Sequence, residues 1–137
     1  MKFNGSIGTV TQAAAIFRAA LPKEQKEERV FVLPLDANGR MLAKPILVSV
    51  GHQNGMAAID AGAIFREALK AGAEEIIVAH NHPSGDLTPS KADIAATKEL
   101  KSLGERLGVT LCDHLIIVAP ILADGFGYFS FAEVMDD

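Results

Sequence analysis

Glu75-Ile76-Ile77-Val78-Ala79 is an unbroken, largely β-branched run that ends in His80-Asn81-His82, and it limits the fold more than any other stretch. A run without polar alternation suits a strand buried on both faces, so layers of structure must cover it above and below. Pro83-Ser84-Gly85-Asp86 then makes a turn, and Thr88-Pro89-Ser90 opens a helix reaching to about Leu107. Thr is a good cap, Pro is favoured at the first helical position, and Ala95, Leu100, Leu103 and Leu107 recur at helical spacing before Gly108.

The flanking sequence predicts the covering layers. Residues 9–21 read as a helix with Ala13, Ile16, Phe17, Ala20 and Leu21 on one side, capped by Thr9 or Thr11 and stopped by Pro22. Residues 23–29 are a charge run, which ordinarily marks a solvated linker. Val30 to Leu35 predicts a strand in which Pro34 suggests an edge or a bulge, and an exposed edge there could pair with a second copy of the chain. Asn38-Gly39 predicts a hairpin turn into a second strand over Met41 to Val50. A loop at 51–55, which holds His52, leads to a helix over 56–71 with Ile64, Phe65, Ala68 and Leu69 buried and Gly72 just past its end. Val109 to Val118 is a further buried strand interrupted by Asp113-His114, residues 126–131 a last short strand, and the terminus frays. The order implies a single α/β domain over 1–137, with a mixed central sheet and helices packed on its faces. In open α/β sheets, sites form at the C-terminal ends of strands, which is where the histidines stand.

Composition narrows the chemistry. A net charge of −4 without a Lys/Arg cluster disfavours a nucleic-acid surface. Cys112 is the only cysteine, which excludes an internal disulfide and a Cys-ligated zinc knuckle and suits a reducing cytoplasm. Nothing in the sequence reads as a signal peptide or a membrane span, so a soluble cytoplasmic chain is expected. Cys112 itself reads as a small buried hydrophobe.

His80 and His82, two apart in an extended segment, point to the same side and can share one ion. Asp93, in the first turn of the following helix, can fold back toward them. Two imidazoles and a carboxylate suit Zn²⁺ and leave a fourth position for water, whose pKa the ion lowers to roughly 7. Hydrolysis then needs a base and an oxyanion donor. Ser90 is placed for the second role, although Ser90-x-x-Asp93 also fits a capping box. For the base, composition leaves Glu24, Glu27 and Glu28 open. Asp113-His114 needs hydrogen-bond partners, either beside a ligating imidazole or elsewhere in the core.

His80-x-His82-Pro83 followed by Ser90-x-x-Asp93, with a Glu far upstream, resembles the JAMM metalloenzyme signature. The fuller His80-Asn81-His82-Pro83-Ser84-Gly85-Asp86 with Thr88-Pro89-Ser90 is similar to the RadC-like JAB domain, as are Leu35-Asp36 with Arg40, Ala79, Asp113-His114 and Tyr128-Phe129-Ser130-Phe131. The similarity covers roughly residues 27 to 133. It implies a JAB/MPN, cytidine deaminase-like architecture and a zinc-dependent peptidase or isopeptidase. His80, His82 and Asp93 would be its ligands and Ser90 its oxyanion donor. The base would be Glu28, because the family's Glu stands eight residues before the Asp of Leu35-Asp36. Its partner would be a peptide or protein substrate. Gly62-Ala63 departs from the basic–acidic pair usual at the start of the family's second helix. Longer RadC proteins also carry a helical region resembling helix-hairpin-helix modules, where this chain has room for one short helix. A repair or replication accessory role, a catalytically silent scaffold and a facial-triad iron oxygenase are the competing readings.

Overall fold

The computed structural model describes residues 9–51, 59–118 and 127–135. The expected loop around His52, residues 56–58 of the expected second helix and Phe126 of the last strand lie outside them. Among the described residues, five strands make one sheet, β1 (Arg29–Leu35), β2 (Ile46–Val50), β3 (Glu75–Asn81), β4 (Thr110–Ile117) and β5 (Tyr128–Ser130), in the order β2-β1-β3-β4-β5. The helices are α1 (Val10–Ala20), α2 (Ala61–Lys70), α3 (Lys91–Leu107) and α4 (Phe131–Val134). Of the strand pairs only β3 and β4 run parallel, and α3 is the crossover between them. The mixed sheet with helical layers is the architecture expected from the sequence.

The sheet separates two cores. On one face α1 sets Ala13, Ala14 and Phe17 against Phe31, Leu33, Ile77, Ala79, Leu115 and Ile117. On the other, Ile64, Phe65 and Ala68 of α2 and Leu100 of α3 pack against Val30, Val32, Ile76 and Val78. β3 thus has cover on both sides, as its unbroken apolar run requires. The period-two alternation also decides where the histidines go. His80 shares parity with Ile76 and Val78, so its ring lies on the α2/α3 face, and Glu28, the residue just before β1, shares the parity of Val30 and Val32.

Several expectations are corrected. β1 is an interior strand, paired with β3 over Val30–Leu35 and with β2 over Arg29–Val32, so it offers no free edge to a second copy. Pro34 is tolerated because a residue's N–H and C=O point to the same side of a strand. Its carbonyl accepts the Leu42 amide, so the missing donor faces the segment that bows out between Met41 and Ile46 and not β3. That bow also explains why β2 begins at Ile46; Met41 contributes only an isolated bridge to Leu35. α2 starts at Ala61, capped by Asp60, and Leu69 is 51% exposed and so outside the buried stripe. Ser90, not Thr88, caps α3. Phe131 belongs to the short α4 and not to the last strand, because the Ser130 side chain accepts the Glu133 amide and turns the chain.

β4 contains an irregularity that decides which side chains face α3. Leu111 stands opposite Ile76 and Asp113 opposite Ile77, leaving Cys112 as an extra residue. Such a bulge shifts the alternation by one. Leu111 therefore faces the α2/α3 core while Leu115 and Ile117, of the same parity, face α1. The shifted phase places His114 on the α3 side, where it meets Thr97.

Candidate metal centre

β3 ends in His80 and Asn81, and the His82 amide donates to the Ile117 carbonyl, continuing the pairing with β4. The turn that follows closes on His82. Gly85, at φ 86°, takes the left-handed conformation that favours glycine, its amide donates to the His82 carbonyl, and Asp86 presents its own carbonyl to His82 Nδ1 at 2.8 Å. A carbonyl only accepts, so His82 carries a proton on Nδ1 and turns its Nε2 inward, the nitrogen free to serve as a ligand.

α3 brings the carboxylate. Ser90 Oγ accepts the Asp93 amide at 3.0 Å, and the Ser90 amide donates to Asp93 Oδ2 at 2.9 Å. The capping box is real, and it also aims the carboxylate. His80 Nε2 lies 3.1 Å from His82 Nε2 and 3.3 Å from Asp93 Oδ1, and His82 Nε2 lies 3.4 Å from Asp93 Oδ2. Ligands of a tetrahedral zinc ion, at about 2.0–2.2 Å from the metal, stand roughly 3.3–3.6 Å apart. The three side chains therefore approach as neighbouring ligands of one small ion would, and their N/N/O chemistry suits zinc.

From the other side the segment entering β1 brings Glu28, whose carboxylate shares a cluster with the two imidazoles in which one donor atom of each lies within 4.8 Å of the others. Asn81, the residue between the histidines, points to the opposite face and grips the backbone around Glu28. Its Oδ1 accepts the Arg29 amide at 2.7 Å and its Nδ2 donates to the Glu27 carbonyl at 3.0 Å. Glu28 is thus held by its two chain neighbours. The Glu27 carboxylate instead reaches Arg29 at 4.0 Å, and Glu24 pairs with Lys26 in open solvent. Asn81→Ala removes both backbone contacts and is expected to destabilise the fold by about 1–3 kcal/mol, read as a lowered urea midpoint; an unchanged midpoint would show the clamp to be idle.

Electrostatics follow from this packing. Burial works against the Asp93 charge, but the His80 and His82 imidazoles set against its two oxygens outweigh it and hold the carboxyl well below its ordinary range. Burial also disfavours a charged His82, yet the Asp93 carboxylate and the Asp86 carbonyl raise it overall. Glu28 is raised, first by burial and against the pull of the two histidines.

The polar pair in β4 divides. His114, fully buried, sets Nε2 2.9 Å from His80 Nδ1 and Nδ1 2.6 Å from Thr97 Oγ1, and stacks on Phe131 with centroids 4.6 Å apart. Burial first, then the neighbouring imidazoles, push it well below the ordinary histidine value. Asp113 turns away and binds the Ser130 hydroxyl and the amides of His114 and Ala132. Sequence reasoning left His114 undecided and missed Thr97 and Asn81. The available signals were a Thr one helical turn beyond the Asp93 position and an Asn where β3 alternation turns a side chain away from the histidines.

An α/β domain with this strand order and a His/His/Asp/Glu cluster at the end of its parallel pair has JAB/MPN-type architecture with a JAMM-like metal site. The chain matches the family model described as RadC-like JAB domain over residues 7–135 and belongs to that family. It is 47% identical over 93 residues to a UPF0758 protein of Carboxydothermus hydrogenoformans, covering 68% of this chain and 40% of the relative. A UPF0758 protein of Thermotoga maritima is 53% identical over 70 residues, 51% of this chain and 29% of the relative. One from Pelobacter propionicus is 39% identical over 111 residues, 81% of this chain and 45% of the relative. The chain thus spans less than half the length of these relatives. Among the described residues, no helix is long and apolar enough to cross a membrane.

Proposed function

We propose that this chain is a zinc-dependent hydrolase of the JAMM type that cleaves a peptide or isopeptide bond in a peptide or protein substrate. His80, His82 and Asp93 would hold the ion, Glu28 would act as general base and Ser90 as oxyanion donor. The observation that carries the reading is the mutual approach of His80 Nε2, His82 Nε2 and the Asp93 carboxylate within 3.1–3.4 Å, with Glu28 beside them. Bound zinc supplies a Lewis acid that acidifies water and polarises a carbonyl. The Glu28 carboxylate takes the proton released by the attacking water and returns it to the leaving amine. Ser90 Oγ accepts the Asp93 amide through a lone pair, so its hydroxyl proton is left to stabilise the developing oxyanion. Ser90 is exposed, as a group meeting substrate must be. Cys112 takes no part: burial and the nearby Glu75 carboxylate push its thiol up to about 12. An inert thiol accords with a reducing compartment such as the cytoplasm.

Zinc-loaded protein assayed against a panel of peptide and isopeptide amides is expected to cleave at least one of them and to stop when a chelator removes the ion. One equivalent of zinc, lost in Asp93→Ala, is expected by metal analysis. Stoichiometric zinc with no cleavage of any amide would leave a silent scaffold, and iron in place of zinc in protein purified without added metal would point to oxygenase chemistry.

A further inference from the structure

We infer that Thr97 and His114 form a directional hydrogen-bond relay that fixes which nitrogen of His80 carries the proton, making both positioning residues of the metal centre. The inference rests on the zinc reading for its purpose, and on heavy-atom geometry for its direction.

The direction begins at a group with no choice. The Asp93 carbonyl can only accept, and Thr97 Oγ1 lies 2.8 Å from it, reaching back one turn of α3. A hydroxyl has one proton. Having given it to Asp93, Thr97 must accept at its other short contact, the 2.6 Å approach of His114 Nδ1. His114 therefore carries a proton on Nδ1. Across the 2.9 Å contact between His114 Nε2 and His80 Nδ1 only one proton fits. If His80 Nε2 is to ligate an ion it must be bare, which places the His80 proton on Nδ1 and makes His114 Nε2 the acceptor. Run the other way, the chain would strip the Thr97 proton from the Asp93 carbonyl and put a proton on His80 Nε2, where the metal has to bind.

The relay also joins the elements that build the site. Asp93 and Thr97 lie on α3, His114 on β4 and His80 on β3. Because the relay starts on the backbone of one ligand residue and ends on the ring of another, it couples the carboxylate and imidazole arms of the site through buried groups only. Phe131, stacked on His114 at an interplanar angle of 11°, keeps that ring in the plane the two contacts need. The Cys112 bulge makes it possible, since in an unbulged strand His114 would face α1. His82 receives its tautomer independently from the Asp86 carbonyl. Both ligand imidazoles are thus preset, one by a loop and one by a relay through three elements.

Thr97→Val keeps the side-chain shape and removes the hydroxyl; Thr97→Ser keeps the hydroxyl. Chelator-competition titration is expected to show 10–100-fold weaker zinc binding in Thr97→Val, the range usual for partners of ligating imidazoles, and recovery in Thr97→Ser. A second readout needs no metal. Long-range ¹⁵N–¹H spectra of the zinc-free protein, recorded above the ordinary imidazole range, are expected to show His80 protonated on Nδ1, and a mixture of tautomers in Thr97→Val. A structural role alone would lower the melting temperature without moving the tautomer. Wild-type zinc affinity in Thr97→Val, or a His80 proton on Nε2 in the wild type, would overturn the relay. A wild-type protein that binds no zinc while keeping the Nδ1 tautomer would sink the metal reading and leave the relay standing.

Discussion

Glu28→Gln is expected to lower turnover of a cleavable amide by about 10²–10⁴-fold, the range a positioned general base contributes, with one equivalent of zinc still bound. The substitution is isosteric and removes only the capacity to take a proton. The Asn81 clamp engages the backbone of Glu27 and Arg29 and not the Glu28 side chain, so the amide of the variant should occupy the place of the carboxylate. His80, His82 and Asp93 approach one another without help from Glu28, which is why zinc content and turnover should separate. Glu27→Gln is the matched control, because that carboxylate turns to Arg29; its turnover should stay near wild type. Steady-state rates and metal analysis on the same preparations make the measurement. Turnover in Glu28→Gln equal to wild type would remove Glu28 from the chemistry, and equal losses in both variants would point to a disturbed strand entry instead.

The parts of this arrangement legible in the sequence are those fixed by local chemistry. Ser90 and Asp93 read as a helix start because a capping box is written in residues three apart, and Gly108 reads as a helix end because the chain there needs the left-handed conformation it adopts at φ 74°. His80 and His82 were readable as a pair because strand alternation places them together. Glu28 was not readable from its own surroundings. A charge run looks solvated, and only a resemblance separated Glu28 from Glu27; the physical difference is parity with Val30 on the α2/α3 face, which depends on the register of β1 against β3.

What escaped the sequence depends on long-range pairing. Pro34 signalled an edge because a missing donor is usually tolerated there, whereas the bowed segment before Ile46 creates local tolerance inside the sheet. The β4 bulge carries no glycine or proline to announce it, yet it decides that His114 meets Thr97 and that Asp113 does not. Gly104 is a similar case. In sequence it is a weak residue inside a helix, but in the fold a Cβ there would come within 2.3 Å of the Val109 carbonyl oxygen, so α3 needs a glycine to turn closely into β4. Such requirements come from where a second element lies.

Asp113 offers the largest expected effect on stability. Its Oδ1 accepts the amides of His114 and Ala132 and its Oδ2 the Ser130 hydroxyl, so one carboxylate ties β4 to β5 and to the start of α4, which carries Phe131 against His114. Asp113→Ala leaves two amides and a hydroxyl to find new partners in a buried place. At about 1–3 kcal/mol for each unsatisfied group, with partial relaxation, the loss should be about 3 kcal/mol in urea unfolding. The carboxyl also sets a pH dependence. Burial raises it to about 6 against the pull of its three donors, above the roughly 3.9 of an unfolded Asp. Between those values the folded state holds the proton and the unfolded state does not. The contribution from Asp113 is therefore fully present below about pH 4 and is lost as pH rises through about 6. Asp113→Asn can keep both amide bonds through Oδ1 and present its NH₂ to Ser130 Oγ. It should remain folded, in contrast to the weakened Asp113→Ala, and should flatten the fall in stability between about pH 4 and 6. Unfolding free energies measured across that interval for the three proteins decide the matter: parallel curves for wild type and Asp113→Asn would show that the carboxyl stays ionised throughout, held by its three donors.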